Sequence, residues 1–329
     1  MPSGPVQQLL IAFELSLLLM GAFMVFRLAA NTPQRVRWLE TNRLPPWPVT
    51  GPEFAFFVLL IFGSGFFFQT AAQILLKGFI ATNASRAGLE IFVYGTGFHG
   101  GALLGWLLFP AMRKRWYADY GALPPPEAPA AAEPSAVAPA MADKTAGKPS
   151  DPKPAWMVVV VNAVGTLLTA LPLLIVFNLG WTFLLRKLGL PDEPQNLIAI
   201  FSSTKSPLIL TGMLVVACGL APLNEELMFR AGLYRFCRQR LGRNWALLIS
   251  GCLFGALHAN WAGFLPLALL GVALALAYEA TGDIRVSVIA HGLFNLNTVV
   301  IVLSGLPQEP CPPSPPTAPS RSSPTGNCA

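Results

Sequence analysis

An all-α polytopic membrane fold is the class this sequence predicts, with about eight transmembrane helices and its chemistry inside a C-terminal helical bundle. Composition is the first ground: 53% of residues are hydrophobic, only 12% are charged and the mean hydropathy is +0.55. An ordinary soluble chain carries roughly a quarter charged residues. The second ground is grouping, because the apolar residues fall into runs near the ~20 residues a helix needs to cross ~30 Å of hydrocarbon.

The runs follow in order. The first extends from Val6 to Leu28 and contains Glu14; the second covers Phe54 to Leu76, and the third Leu89 to Met112. The fourth, Trp156 to Leu185, is nearly free of charge and is the strongest span of the set. Four more follow a polar stretch: Pro207 to Phe236, Trp245 to Asn260, Phe264 to Ala280 and Val286 to Leu303. The first run is too long, and lacks the basic start, for a cleaved secretory peptide, so it reads as a retained anchor. The fifth is read as a span that bends or re-enters.

Between the third and fourth runs, Ala122 to Pro154 is dense in proline and alanine, and Pro307 to Ala329 is similar. Such composition builds no buried core and predicts disorder outside the bilayer. The chain therefore divides into a membrane region 1–121 with three spans, a Pro/Ala-rich loop 122–154, a fourth span with its connection 155–206, a core 207–304 and a tail 305–329.

The formal net charge of +6 needs no nucleic acid. The basic residues flank spans, where anionic headgroups and the excess of Lys and Arg on cytoplasmic loops account for them. Arg35, Arg37 and Arg43, then Arg113, Lys114 and Arg115, then Arg235, Arg238, Arg240 and Arg243 mark one side. This places both termini outside the cytoplasm and suits a multi-pass protein of a bacterial inner membrane. The five cysteines form no CxxC pair, and Cys218 and Cys252 sit in apolar runs as small hydrophobes.

Ionisable groups at membrane depth are expensive and mark function unless a structural partner explains them. Three clusters stand out in the last third of the chain. Glu225 and Glu226 precede Arg230 in EELMFR; Phe254 and His258 bound FGALH; His291 and Asn295 bound HGLFN. Glu226 and Arg230 are four apart and share a helical face, which predicts an intramembrane ion pair. Glu225 points about 100° away and needs another partner. His291 and Asn295 project together from the last span.

The side chains are chemically complementary. A glutamate among apolar helices can take a proton from water, and a histidine can orient that water or carry the proton. Asparagine and histidine N–H groups can stabilise the oxygen charge that develops as water attacks an amide. The set points to peptide hydrolysis.

These three motifs, in this order on hydrophobic segments, resemble the CAAX prenyl protease and bacteriocin-processing (ABI-type) intramembrane endopeptidases, a family that includes the type II CAAX prenyl proteases. The resemblance runs from Pro207 to Leu303, so it makes 207–304 a protease-like core. It implies Glu225 as general base working with His258 on water, Glu226 and Arg230 as a supporting pair, and His291 and Asn295 as the oxyanion-stabilising side. Under the older metalloprotease description of the family, His291 and Asn295 would instead hold water or metal. Phe254 becomes a packing wall. The implied substrate is a membrane-associated protein or peptide, prenylated or not, met among membrane lipids. No obligatory cofactor is expected, with divalent zinc as the alternative.

Other classes fit less well. No HExxH occurs, FGSGF around Ser64 lacks the glycine of a membrane serine-protease loop, and all five aspartates lie outside the spans. A non-hydrolytic transporter or a bacteriocin-immunity scaffold is the reading from another class, since intramembrane Glu, His and Arg also serve ion transport. His99 in GFHGG matches no motif position and reads as a packing or boundary residue. Glu14, Gln69 and Gln73 are candidates for contacts inside the bundle, and Glu279 for the membrane interface.

Overall fold

The computed structural model describes residues 4–33, 44, 47, 49–108, 156–193 and 196–304. The Pro/Ala-rich stretch 122–154, the tail 305–329 with Cys311 and Cys328, and the loop residues Arg35, Arg37, Arg43, Arg113, Lys114 and Arg115 lie outside the described residues.

The described chain is helical, with no strand among these residues. We number the helices α1 (Pro5–Ala30), α2 (Gly51–Ala81), α3 (Arg86–Leu108), α4 (Trp156–Leu188), α5 (Asn196–Ser203), α6 (Pro207–Leu241), α7 (Arg243–Leu257), α8 (Trp261–Thr281) and α9 (Ile284–Leu303). Each of the eight apolar runs coincides with one of them, and α5 is a short addition. Six helices (α1, α2, α4, α6, α8 and α9) are long and apolar enough to cross a membrane. The other two fall short of the expected eight for different reasons. The 15 residues of α7 rise only about 22 Å, less than the hydrocarbon thickness. Length suffices in α3, but Arg86, Glu90, His99 and repeated glycines dilute its apolar character.

Where apolar side chains point outward they cover the flanks of α1, α2 and α4, including Leu9, Leu75 and Met157. Water would penalise that surface and lipid would not. The interior is built elsewhere. Val159, Ala163, Ala170 and Leu174 of α4 pack with Phe229 of α6, Phe254 of α7, Leu270 and Leu274 of α8, and Val286 and Ala290 of α9. Outside this core, α2 and α3 run antiparallel, with the glycine face of α3 laid on Ser64, Phe68 and Gln69 of α2.

The fifth run forms one unbroken helix. Helix α6 continues for 35 residues, widened into π-helix at Val216–Leu220 and at Leu227–Tyr234. Glu279 is buried at the end of α8, where Arg238 and Arg243 reach its two oxygens at 2.7 Å each.

Candidate active site

The two glutamates sit on Ala221–Glu226, a short α-helical stretch between the two π segments of α6. Such widenings often occur at functional sites, and here the sequence supplies a cause. The Ala221 amide bonds back to Val216 and skips Ala217. Pro222, next in line, has no amide to give. Asn295 of α9 fills the gap, its Nδ2 donating to the Ala217 carbonyl at 2.7 Å. The same proline deprives the Cys218 carbonyl of its α-helical donor, and Gly292 packs onto that carbonyl so closely that a Cβ would lie 2.5 Å from it. In this way α9 is seated one turn from the glutamates, and His291 comes with it.

Glu226 is the centre of a buried chain of charges. Its Oε2 lies 3.0 Å from Arg230 Nε, with both side chains fully buried. The N–H direction falls short of a hydrogen bond, so the pair is held by charge and proximity. Arg230 also donates to the Gly271 carbonyl at 3.3 Å and lies 4.5 Å from the centre of the Phe254 ring, a cation–π approach. The other oxygen, Oε1, is 2.9 Å from His291 Nδ1. A carboxylate can only accept there, so Nδ1 carries a proton.

His291 Nε2 faces Glu225, whose Oε2 is 3.7 Å away. This is the partner that the orientation of Glu225 on its helix calls for. The two glutamates differ in a way that decides their roles: the Glu225 side chain is 23% exposed and that of Glu226 is 0%. Only Glu225 can meet a water molecule.

His258 caps the end of α7, its Nδ1 donating to the Phe254 carbonyl at 2.8 Å. The turn behind it is sharp, with Ala259 at φ 48° in the left-handed region. That conformation costs a residue bearing a Cβ roughly 1–2 kcal/mol. Asn260 then starts α8, accepting from the Gly263 amide at 2.7 Å and donating to the Glu193 carbonyl at 3.0 Å. Phe254 is fully buried and so does not face lipid. Its ring centre stands 5.1 Å from that of His258 and 5.5 Å from that of His291.

Thus Arg230 of α6, His258 of α7 and His291 of α9 meet at the Phe254 ring, and Glu225 and Glu226 join them through His291. Asn295 is different, with one donor committed to the α6 backbone. A cavity of about 440 Å³ lies between α2, α3 and α5, bordered by Gln69, Glu90, Tyr94 and Phe98, and none of the motif residues lines it. Glu14 does turn inward, accepting from Asn297 at 3.4 Å. Among the described residues no three of His, Cys, Asp and Glu converge as a group that could hold a metal ion. Two contacts escape motif reading. Glu226 holds His291 as well as Arg230, and Asn224, directly before Glu225, donates to the His99 carbonyl at 2.7 Å.

The chain is similar to known proteins over part of its length. A protein of Bacillus subtilis (strain 168) named "Putative membrane peptidase YdiL" is 29% identical over 116 residues, which are 35% of this chain and 46% of that protein. The chain therefore spans about half the length of the curated relative it matches. No solved structure matches it. The family model of the type II CAAX prenyl endopeptidases, Rce1-like, matches residues 207–297, a stretch of α6 to α9 that contains all three motifs.

Proposed function

We propose that this protein is an intramembrane endopeptidase that hydrolyses a peptide bond of a membrane-associated protein or peptide with water activated by Glu225. The observation that carries the reading is the approach of the accessible Glu225 to His291 Nε2 at 3.7 Å, with the far nitrogen of that ring held by the buried Glu226. A base that must meet water is exposed, and the groups that orient its neighbour are sealed away from water.

In this scheme Glu225 takes a proton from water as the water oxygen bonds to the substrate carbonyl carbon. The carbonyl oxygen becomes an oxyanion. Asn295 retains a second N–H for it, since only one is drawn to Ala217, and His258 works with Glu225 on the attacking water. When the C–N bond breaks, the leaving nitrogen takes the proton held by Glu225, which regenerates the carboxylate. Glu226, Arg230 and Phe254 keep the two histidines in place and touch no reacting atom. No step uses a metal.

The test is cleavage by the purified full chain in proteoliposomes, using a panel of prenylated CaaX peptides and unmodified transmembrane peptides. Glu225→Gln is expected to stay folded and lose on the order of 10²–10⁴-fold in rate, the usual worth of a positioned base. Chelation is expected to leave the parent rate unchanged. A well-folded Glu225→Gln protein that cleaves at the parent rate would refute the assignment, and stoichiometric zinc restoring a chelated sample would refute the metal-free scheme. Ion flux without cleavage would favour a transporter.

A further inference from the structure

We propose that His99 of α3, outside the family-matched segment, is a positioning residue for Glu225, so that the site is completed by a helix the motifs do not include. The inference rests on the reading of Glu225 as the base. Three observations on α3 converge on it.

The first is direction. Gly97, Gly101 and Gly105 recur every four residues and form the face of α3 that meets α2, where added Cβ atoms would strike Gln69, Phe68 and Ser64. At about 100° per residue, His99 lies roughly 160–200° from Gly97 and Gly101, on the opposite face. Gly95, one turn before His99, is in contact range of Val216 of α6. The face that bears His99 is therefore the face turned to α6.

The second is register. Asn224 Nδ2 donates to the His99 carbonyl at 2.7 Å, and Asn224 is itself buried. This pins α3 to α6 at the residue adjoining the base. The bond sets the height of His99 along α6 independently of the His99 ring.

The third is the ring itself. It lies within electrostatic reach of the Glu225 carboxylate, and its Nδ1 is buried with no hydrogen-bond partner among the described residues. Phe98 closes one side, edge-on at 5.2 Å between ring centres. A polar atom placed at membrane depth without a partner is costly. Its height on α6, set by the Asn224 bond at the residue before Glu225, gives it a purpose that packing does not. Glu225 is thus addressed from two helices, by His291 from α9 and by His99 from α3.

The chain has only three histidines, which makes the test direct. Full-length protein carrying ¹³Cε1-labelled histidine, in nanodiscs, gives three ring signals, and His99→Leu assigns one of them. Glu225→Gln is expected to move the titration midpoint of the His99 signal by about one pH unit, as loss of a nearby charge does. Glu90→Gln, a change elsewhere on α3, is expected to leave it in place. An unmoved His99 signal in Glu225→Gln overturns the proposal whether or not a substrate has been found.

Kinetics supply a second arm, on a peptide from the panel that the parent cleaves. His99→Leu is expected to lower kcat about tenfold or more, the scale seen when an outer partner of a functional group is removed, with KM and thermal midpoint near the parent values. His99→Gln is expected to recover part of that loss and to alter the pH profile. Parent kcat and pH profile in a folded His99→Leu protein would refute His99 while leaving Glu225 as base. Parent activity in Glu225→Gln would refute the base reading, and the ring spectra would still decide whether His99 and Glu225 are coupled.

Discussion

The contact of α1 with α4 and the contact of α9 with α6 are built on the same local device, yet only one stands beside paired charges. In α4, Pro172 removes the amide that would bond to the Leu168 carbonyl, and Gly21 of α1 packs against that carbonyl and the proline ring. In α6, Pro222 does the same to Cys218, and Gly292 of α9 packs there. A proline opens a helix, and a glycine brings a second backbone close enough for Cα–H to approach the freed oxygen. Around Gly21 the neighbouring side chains are apolar and many face outward. Around Gly292 they are His291, Glu225 and Glu226. Close helix approach alone fastens a bundle, and the same approach beside paired charges also sets how those charges meet.

The largest expected effect comes from breaking what is peculiar to the second region. Arg230→Met removes a fully buried guanidinium from beside a fully buried carboxylate, and one stranded charge of this kind costs about 3–5 kcal/mol. Folded yield in detergent and the thermal midpoint should both fall. Full stability in this variant would mean that Glu226 is not charged against Arg230.

The paired glycines test the comparison itself. Gly21→Ala and Gly292→Ala each force a Cβ onto a carbonyl and should each cost about 1–3 kcal/mol. Cleavage per folded molecule should separate them: unchanged in Gly21→Ala, and reduced in Gly292→Ala because α9 carries His291. Equal rates in the two folded variants would show that the seating of α9 does not control the site.

Asn295→Ala sharpens the contrast further, since it leaves the Ala217 carbonyl without its donor, a loss of about 1–3 kcal/mol for a buried group. If Asn295 also stabilises the oxyanion, the rate should fall roughly 100-fold beyond any loss of folded protein. A thermal shift without a kinetic defect would confine Asn295 to mending the helix. The smallest effect belongs to the first region: Glu14→Gln keeps an acceptor for Asn297 and should change stability by no more than about 0.5 kcal/mol.

Much of this molecule is legible in one dimension, because a lipid-spanning helix satisfies its own backbone and announces itself by length and apolarity. All eight runs became helices, and the spacing of four that joins Glu226 to Arg230 is geometry internal to one helix. The proline and the three motifs were equally visible. Contacts between helices far apart in sequence were not. Whether His291 meets Glu226 or Glu225 depends on how α9 is rotated and raised against α6, which Gly292 and the Ala217 carbonyl set together. Glu279 read as an interfacial residue because its arginines lie 41 and 36 positions away. His99 read as packing because nothing within α3 reveals which helix its polar face will meet. Periodicity within a helix is determined locally by 3.6 residues per turn, whereas rotation and height between helices are decided by steric fit over the whole interface, and that fit exists only once the chain has folded.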